Sequence, residues 1–412
     1  MKIAIVGAGI SGLTAAYYLQ ARHDITLLEK NNYLGGHTNT VSVKEGVRSI
    51  PIDTGFIVYN DRTYPLFCQL IDELPVQSQP TQMTFGVRCE RTGLEYQGGS
   101  LGSFFAQRGN FFRVRHYRLL REILRFQKLA RQVEKELSEK LTVTQFLSQH
   151  RFSPAFTEHF FQPLGSAIWS CPADRFENFP ARFVIEFYRH HGLLSMRDRP
   201  NWKVIAGGSQ EYVAALQDNM DVEVEMGTTA TSIERGGNGI QVTTREHGTR
   251  NYDHVILACH SNQSLALLGE HARAEEKELL GAIAYQKNTA ILHTDTSILP
   301  ACRRAWACWN YYLPETPGTL PIVTYNMNIL QGLSTERTYC VSLNAEPWLH
   351  QQDILHRFIY HHPVFDARRR EVQQRHMELI NNHGVSCCGA YWGHGFHEDG
   401  VHSAWKVIES LP

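Results

Sequence analysis

The sequence has no long hydrophobic run and no excess of charge of either sign. We find no apolar, uncharged stretch of about 18 residues, so the sequence predicts no transmembrane helix. The chain carries 40 Lys and Arg against 41 Asp and Glu, a formal net charge of −1. Nothing in this balance favours nucleic acid as a partner. We also find no internal repeat and no low-complexity tract.

The cysteine pattern lacks the spacing of a redox or metal motif. There are nine cysteines, an odd number, and none are spaced as C-x-x-C. This pattern predicts reduced thiols in a cytoplasmic protein, with core packing favoured over a redox pair for Cys387 and Cys388. The opening apolar run follows a single lysine and contains a glycine turn but no cleavage site. We therefore interpret it as a strand and not as a signal peptide.

The first residues read MKIAIVGAGISG and combine a strand, a glycine turn and a helix. Lys2 to Val6 is β-rich, a G-x-G-x-x-G turn follows, and Leu13 to Gln20 is helix-forming. Gly7 permits the tight turn, Gly9 lets a pyrophosphate approach the backbone, and Gly12 lets the helix pack on its strand. The helix N-terminus then faces the phosphates, so the segment predicts a dinucleotide site.

A second strand and a second glycine loop distinguish between cofactors. Asp24 to Leu28 leads to Glu29, whose carboxylate is placed to accept hydrogen bonds from ribose hydroxyls. The run LGGHTNT follows at Leu34 to Thr40, with glycines for close approach and side-chain donors after them. Such a loop can clamp the pyrophosphate and ribityl chain, which favours FAD over NAD. The alternative reading of this run is an ordinary turn.

Sequence-distant segments complete the predicted fold, an α/β protein. We expect a Rossmann-type, glutathione-reductase-like FAD-binding domain with an inserted substrate domain of mixed sheet plus helical cap. The FAD-binding domain is assigned residues 1–65, 200–265 and 380–412, the helical cap 66–199, and the sheet part 266–379. Tyr252 to Cys259 is predicted as a buried parallel strand of the first sheet. A helix starting near Gly400 is expected to point its amides at the flavin N1/O2 edge.

Several motifs resemble a known family. The segments Ile3 to Asn60, Lys203 to His260 and Cys388 to Val407 resemble the FAD-dependent amine oxidase, protoporphyrinogen oxidase and phytoene desaturase group of flavoproteins. Three runs, DTGFIVYNDRTYP, AIWSCP and GFHEDG, resemble a narrower bacterial subfamily. That subfamily is similar to the flavoprotein region before the methyltransferase in plant cyclopropane-fatty-acid synthases.

Motifs and resemblance together imply a set of FAD contacts. Ala230 stands where the family usually has Val, a mild departure because that contact is made by backbone. The run CGAYW lacks the Ser-Gly-Gly-Cys-Tyr pattern of covalent attachment, so we expect non-covalent FAD. The expected contacts are Gly7, Gly9, Ile10, Ser11, Gly12, Glu29, Lys30, Gly35, Gly36, His37, Thr38, Ala230, Ala258, Glu398, Asp399, Gly400 and Val401.

No catalytic acid or base stands out from the sequence. His397 is the one candidate, and a structural loop histidine is the competing interpretation. The nearby His394, Glu398 and Asp399 would allow a metal site, but that reading explains neither the glycines nor the helix, so we predict no metal. Only one nucleotide fingerprint is present, so electrons are expected to leave to oxygen, a quinone or another acceptor that the sequence does not identify.

A basic aromatic segment runs from Phe104 to Lys128, within a region from Leu101 to Leu194 that is helical in pattern. Leu120, Ile123, Leu124 and Gln127 are spaced to form one face of a helix, with arginines largely elsewhere. One interpretation is a peripheral contact with anionic lipid at the inner membrane surface, and the other is a surface helix of the cap. Aromatic candidates for an apolar cavity are Trp306, Trp309, Tyr311, Tyr312, Tyr325 and Trp392.

The leading hypothesis is an FAD-dependent oxidoreductase that removes hydride from a hydrophobic substrate, such as a lipid acyl chain, and forms a double bond. Its lipid component rests on the resemblance and on the basic segment. One alternative is a flavin amine oxidase that produces peroxide. Another is a non-catalytic flavoprotein partner of a lipid-modifying methyltransferase.

Overall fold

The first strand of the chain is the centre of a five-stranded parallel sheet. The computed structural model describes residues 1–195, 199–237, 239–316 and 320–412. Every described pair in this sheet is parallel, as the predicted Rossmann-type fold requires. In spatial order its strands are Glu223–Met226, Asp24–Glu29, Lys2–Val6, His254–Leu257 and Val385–Cys387.

Two helices that cross closely cover this sheet near its centre. Helix Ile10–Leu19 follows the first strand, and helix His397–Ser410 packs on it. A Cβ added at Gly400 would lie 2.7 Å from Ile10 Cγ2, so glycine at this position permits the close crossing. The second helix begins at His397 and not near Gly400, because the Asp399 carboxylate accepts a hydrogen bond from the Phe396 amide (2.9 Å) and caps it.

A second sheet has seven strands. Their order is Ile354–Val364, Ala284–His293, Cys340–Leu343, Ile322–Asn326, Trp309–Leu313, Phe85–Cys89 and Leu94–Gln97. The first of these is an edge strand that the sequence analysis missed. The last two come from the segment expected to form the helical cap.

Helices between residues 101 and 190 pack around a phenylalanine-rich core. Phe126, Phe146, Phe156, Phe161 and Phe176 are all almost completely buried there. The α-helices are Leu101–Phe104, Val114–Val133, Val143–Gln149, Pro154–Phe156, Gln162–Trp169, Ala173–Phe176 and Ala181–His190, with a π-helical turn at Thr157–Phe161. In the described part of the chain, no helix combines the length and apolar character needed to cross a membrane.

Smaller elements connect these parts. Three short sheets are formed by Thr40–Glu45 with Arg48–Asp53, by Tyr59–Asn60, Trp202–Ile205 and Ser78–Pro80, and by Ala230–Gly236, Gly239–Thr244 and Gly248–Tyr252. The remaining α-helices are Pro65–Asp72, Gln210–Asp218, Ser261–Leu268, Ala274–Gly281, Met327–Leu330 and Arg369–Gln374.

Replacement of Gly12 by alanine should destabilise the fold. The added Cβ would press directly on the Gly7 carbonyl oxygen, which is backbone and has little freedom to move. Overpacking of this kind costs about 1–3 kcal/mol of unfolding free energy, measured by urea denaturation. The matched control is Gly281→Ala, at another helical glycine, where the nearest atom lies 3.6 Å from the new Cβ. An equal loss of stability in both variants would contradict the prediction.

Candidate functional site

The two glycine loops predicted from the sequence contact each other at the carboxyl end of the first strand. The Gly35 amide donates to the Ala8 carbonyl oxygen at 2.8 Å, and Gly9 and Gly35 form an isolated parallel bridge. A Cβ added at Gly36 would lie 3.0 Å from Gly9 Cα, whereas a Cβ added at Gly9 would meet no atom within 4 Å. The loops therefore leave open space beside Gly9, where a ligand can approach the backbone.

The helix Ile10–Leu19 starts beside this space and presents its N-terminal amides to it. Gly9 is its N-cap and provides no side-chain hydrogen bond, and the first turn contains no acidic residue. The first amides of a helix lack intrahelical acceptors and carry partial positive charge. This end of the helix thus suits the pyrophosphate of a dinucleotide.

Glu29 is held in place at the end of the second strand. Its carboxylate accepts hydrogen bonds from the Ala8 amide (2.9 Å) and from the Asn31 amide (2.9 Å), and only 5% of the residue is exposed. The Asn31 side-chain amide also donates to this carboxylate at 2.8 Å, so one of its about four acceptor positions remains for a ribose hydroxyl. Glu29 and Lys30 both line the adjoining cavity.

A single cavity of about 870 Å³ extends from the glycine loops into the helical cap. Its volume is in the range of small-molecule sites, about 300–1,000 Å³. Four α-helices of the cap contribute to its lining, and most of their lining residues are apolar. They include Leu120, Ile123, Leu164, Ile168, Trp169 and Phe187.

The predicted cofactor residues fall into two groups in the structure. The residues that line the cavity are Gly7, Gly9, Ile10, Ser11, Glu29, Lys30, Gly35, Gly36, His37, Ala230 and Ala258, together with His397. The residues outside the cavity lining are Gly12, Thr38, Glu398, Asp399, Gly400 and Val401. Contacts of the second group with the cofactor remain predictions.

The side chain of Glu398, in the GFHEDG motif, makes hydrogen bonds to the protein backbone. The Glu398 carboxylate accepts hydrogen bonds from the amides of Leu66 (3.0 Å) and Phe67 (2.9 Å), and so caps helix Pro65–Asp72. The Gly400 amide donates to the Phe396 carbonyl oxygen at 3.2 Å. This amide belongs to the helical ladder, and its expected contact with the flavin edge stays a prediction. The amides of the preceding turn are the ones outside the ladder.

His397 is held by buried hydroxyl groups. Its Nε2 lies 2.9 Å from Thr38 Oγ1 and 3.2 Å from the Tyr212 hydroxyl, and its ring stacks on Phe56 with centroids 3.6 Å apart. Burial lowers the pKa of His397 well below its ordinary value, so the ring is neutral. This environment favours the structural interpretation of His397 over acid–base catalysis.

The structure brings together four histidines that the sequence analysis did not connect. His37, His260, His361 and His362 all line the cavity; the His37 ring centroid lies 5.8 Å from that of His260 and 5.7 Å from that of His362. Burial, with a smaller effect of the neighbouring histidines, lowers the pKa of His37 to about 4 and those of His260 and His362 to about 3. In the sequence, only the adjacent His361 and His362 could have indicated this cluster, and the strand that contains them was not predicted.

Two of the six predicted cavity aromatics line the cavity. Trp309 and Tyr325 lie edge to face there, with ring centroids 5.3 Å apart. The other four, Trp306, Tyr311, Tyr312 and Trp392, lie outside the lining.

The parallel sheet, the paired glycine loops and the cavity define a dinucleotide-binding enzyme. Residues 10–296 match the model of the family described as flavin containing amine oxidoreductase, and the chain belongs to this family. FAD is the cofactor of this family, and the open space beside Gly9 and the free helix N-terminus fit it. The protein is thus an FAD-dependent oxidoreductase.

Solved structures agree on the fold. A CLA-producing fatty acid isomerase from P. acnes is 16% identical, with a TM-score of 0.71 and coverage of 99% of this chain and 98% of the other. Cyclohexylamine oxidase from Brevibacterium oxydans IH-35A is 14% identical, with a TM-score of 0.69 and the same coverage.

Sequence relatives match a short segment only. The 4,4'-diapophytoene desaturase of Staphylococcus aureus (strain Newman) is 47% identical over 47 residues, which are 11% of this chain. The match spans 9% of the length of that curated relative.

Replacement of Gly9 by valine should abolish FAD binding and leave the protein folded. Gly9 has an extended backbone (φ −76°, ψ −177°) that valine can adopt, and its Cβ would project into space that no protein atom occupies. The purified variant should have no flavin absorbance but an unfolding free energy close to that of the FAD-free wild type. Gly109→Val, also at an uncrowded glycine, is the control that should retain FAD. Full FAD retention in Gly9→Val would refute the site.

The FAD-free protein should lose stability as the pH falls from about 6.5 toward about 4. Histidines with a lowered pKa in the folded state bind protons mainly on unfolding, at up to about 1.4 kcal/mol per pH unit each. Changing His260 and His362 to glutamine should flatten the pH dependence of the urea-unfolding free energy. His356→Gln, at an exposed position on the same strand as His362, is the control. An unchanged slope in the double variant would contradict the assignment.

Proposed function

We propose that this FAD-dependent oxidoreductase oxidises a hydrophobic substrate, such as a lipid acyl chain, to form a carbon–carbon double bond. The observation that supports this most strongly is the apolar end of the cavity, which lies within the helical cap. Leu164, Ile168 and Trp169 contribute to it from one helix, and Ile123 from another. Burying an apolar chain against such side chains is favourable at about 25 cal/mol per Å².

The position of the carboxylate in the lining also argues against a positively charged reacting group. Among the described residues that line the cavity, Glu29 is the only carboxylate, and it lies beside Ala8 at the nucleotide end. A protonated amine in the apolar end would therefore lack a compensating charge, and burying an unpaired charge is costly. A hydrocarbon chain has no such requirement.

The proposed reaction removes two hydrogens from adjacent carbons. FAD, when bound, supplies the acceptor for a hydride from one carbon, while a proton leaves the other carbon for solvent or a neighbouring base. The side chains of the protein orient the substrate and exclude water. Ile123, Trp169 and Phe187, each less than 9% exposed, provide a dry surface for this.

Two of the similar proteins carry names that agree with this substrate class. One is named a fatty acid isomerase and the other a 4,4'-diapophytoene desaturase. The edge-to-face pair of Trp309 and Tyr325 is the feature that favours the second candidate, an amine oxidase. A flavoprotein partner without turnover is the third candidate.

Anaerobic reduction of the oxidised flavin should separate these candidates. We expect the visible absorbance to bleach with long-chain lipid and to remain with NADH, NADPH and simple amines. The reason is that the single dinucleotide fingerprint binds FAD, while the cavity beyond it is apolar. Bleaching by amines alone would support the amine oxidase, and rapid bleaching by NADPH would overturn the inferred electron flow. No bleaching by any compound would support the partner role.

A polar substitution in the apolar end should weaken lipid oxidation specifically. Ile168→Asn should slow anaerobic flavin reduction by lipid about tenfold or more, because the apolar chain must then displace water from the amide. The control is Leu129→Asn, at a partly buried position that packs on the same core without lining the cavity. Both variants should retain FAD. Equal rates for Ile168→Asn and wild type would argue against an acyl chain in this part of the cavity.

A further inference from the structure

The region around the cavity mouth has an unusual concentration of exposed apolar side chains. Six of the twelve exposed large hydrophobic residues in the described chain fall within residues 101–124. Phe112 is 92% exposed, Val114 66% and Leu101 60%. We call this surface the mouth patch; its apolar members are Leu101, Phe111, Phe112, Val114, Tyr117 and Leu124.

The same patch is strongly basic although the whole chain is close to neutral. Residues 101–124 contain five arginines and one acidic residue, Glu122, against a net charge of −1 for the protein. In the described structure, no carboxylate lies within ion-pair distance of Arg113, Arg115, Arg118 or Arg121. The positive charge is therefore not neutralised within the protein.

Helix Val114–Val133 places its own members of the patch on one face. Val114, Tyr117, Arg118, Arg121 and Leu124 are exposed and recur at intervals of three or four residues. The opposite face contains buried residues such as Leu119, Ile123 and Phe126, so the exposed stripe is not needed for the core.

The mouth patch is continuous with the cavity. Leu101 and Leu124 are both exposed members of the patch and lining residues of the cavity, and Leu120 and Ile123 continue the lining inward. The lining of the cavity therefore reaches the patch at Leu101 and Leu124. Exposed aromatics interleaved with arginines are the chemistry of an interfacial membrane contact, where apolar groups insert and basic groups bind lipid phosphates.

We propose that the mouth patch docks the protein on the surface of an anionic phospholipid bilayer, with the cavity entrance facing the lipid. Attraction by the arginines and insertion of Phe111, Phe112 and Val114 act together. The proposal concerns a binding surface and does not depend on the substrate proposed above. Its test therefore measures lipid binding and not flavin reduction.

The experiment is co-sedimentation of the FAD-loaded protein with vesicles of phosphatidylcholine, with and without phosphatidylglycerol. We expect binding to the anionic vesicles at about 0.1 M salt and much weaker binding at about 1 M, where the Debye length falls from about 10 Å to about 3 Å. No sedimentation with either vesicle would overturn the proposal. So would equal sedimentation with both.

Matched variants locate the surface. Arg118→Gln with Arg121→Gln should reduce the partition coefficient about fivefold per arginine, because each basic residue near an anionic surface contributes about 1 kcal/mol. Arg22→Gln with Arg245→Gln removes the same charge from exposed positions elsewhere and should have little effect. Phe112→Ser should weaken binding at both salt concentrations. If the Arg118/Arg121 variant and its control bind equally, or Phe112→Ser binds as wild type, the mouth patch is not the docking surface.

Discussion

The contact between the two glycine loops positions most of the candidate site. Ala8 and Gly35 are joined by a backbone hydrogen bond, and Gly36 lies against Gly9 too closely for a side chain. Because both loops are built from backbone at this point, the space beside Gly9 stays open between them. The Glu29 carboxylate accepts from the Ala8 amide and ties the second strand to the same turn. Binding of a pyrophosphate depends on this arrangement and on few side chains.

The cavity joins two ends of very different polarity. At the nucleotide end, amides of a helix N-terminus, Lys30 and neutral histidines surround the space. At the other end, helices of the cap contribute aliphatic and aromatic side chains. An anionic cofactor and the apolar substrate that we propose would therefore each find a suitable environment. Leu101 and Leu124 of the mouth patch extend the cavity lining to the protein surface.

Several polar residues of the motifs make hydrogen bonds within the protein. Thr38 is fully buried and binds His397 and Tyr212, while Glu398 and Asp399 cap helices through backbone amides. These contacts hold the final helix against the second glycine loop and helix Pro65–Asp72. Gly400 completes the packing by allowing close approach to Ile10. Motif residues can thus support the site through contacts within the protein.

The sequence by itself determined the parallel sheet, its glycine turn and the second loop, because these depend on local patterns: apolar strands, obligatory glycines and one carboxylate at a set spacing. FAD binding followed from the same residues. Only the tertiary structure decided which polar residues face the cavity, since Glu398 and Thr38 are satisfied by partners 332 and 174 residues away. The tertiary structure also brings the four histidines together. Strand Ile354–Val364, which contains two of them, has no clear alternation of apolar and polar residues and pairs with Ala284–His293. Contacts between distant segments leave no periodic trace in the chain, and for that physical reason they could not be read from it.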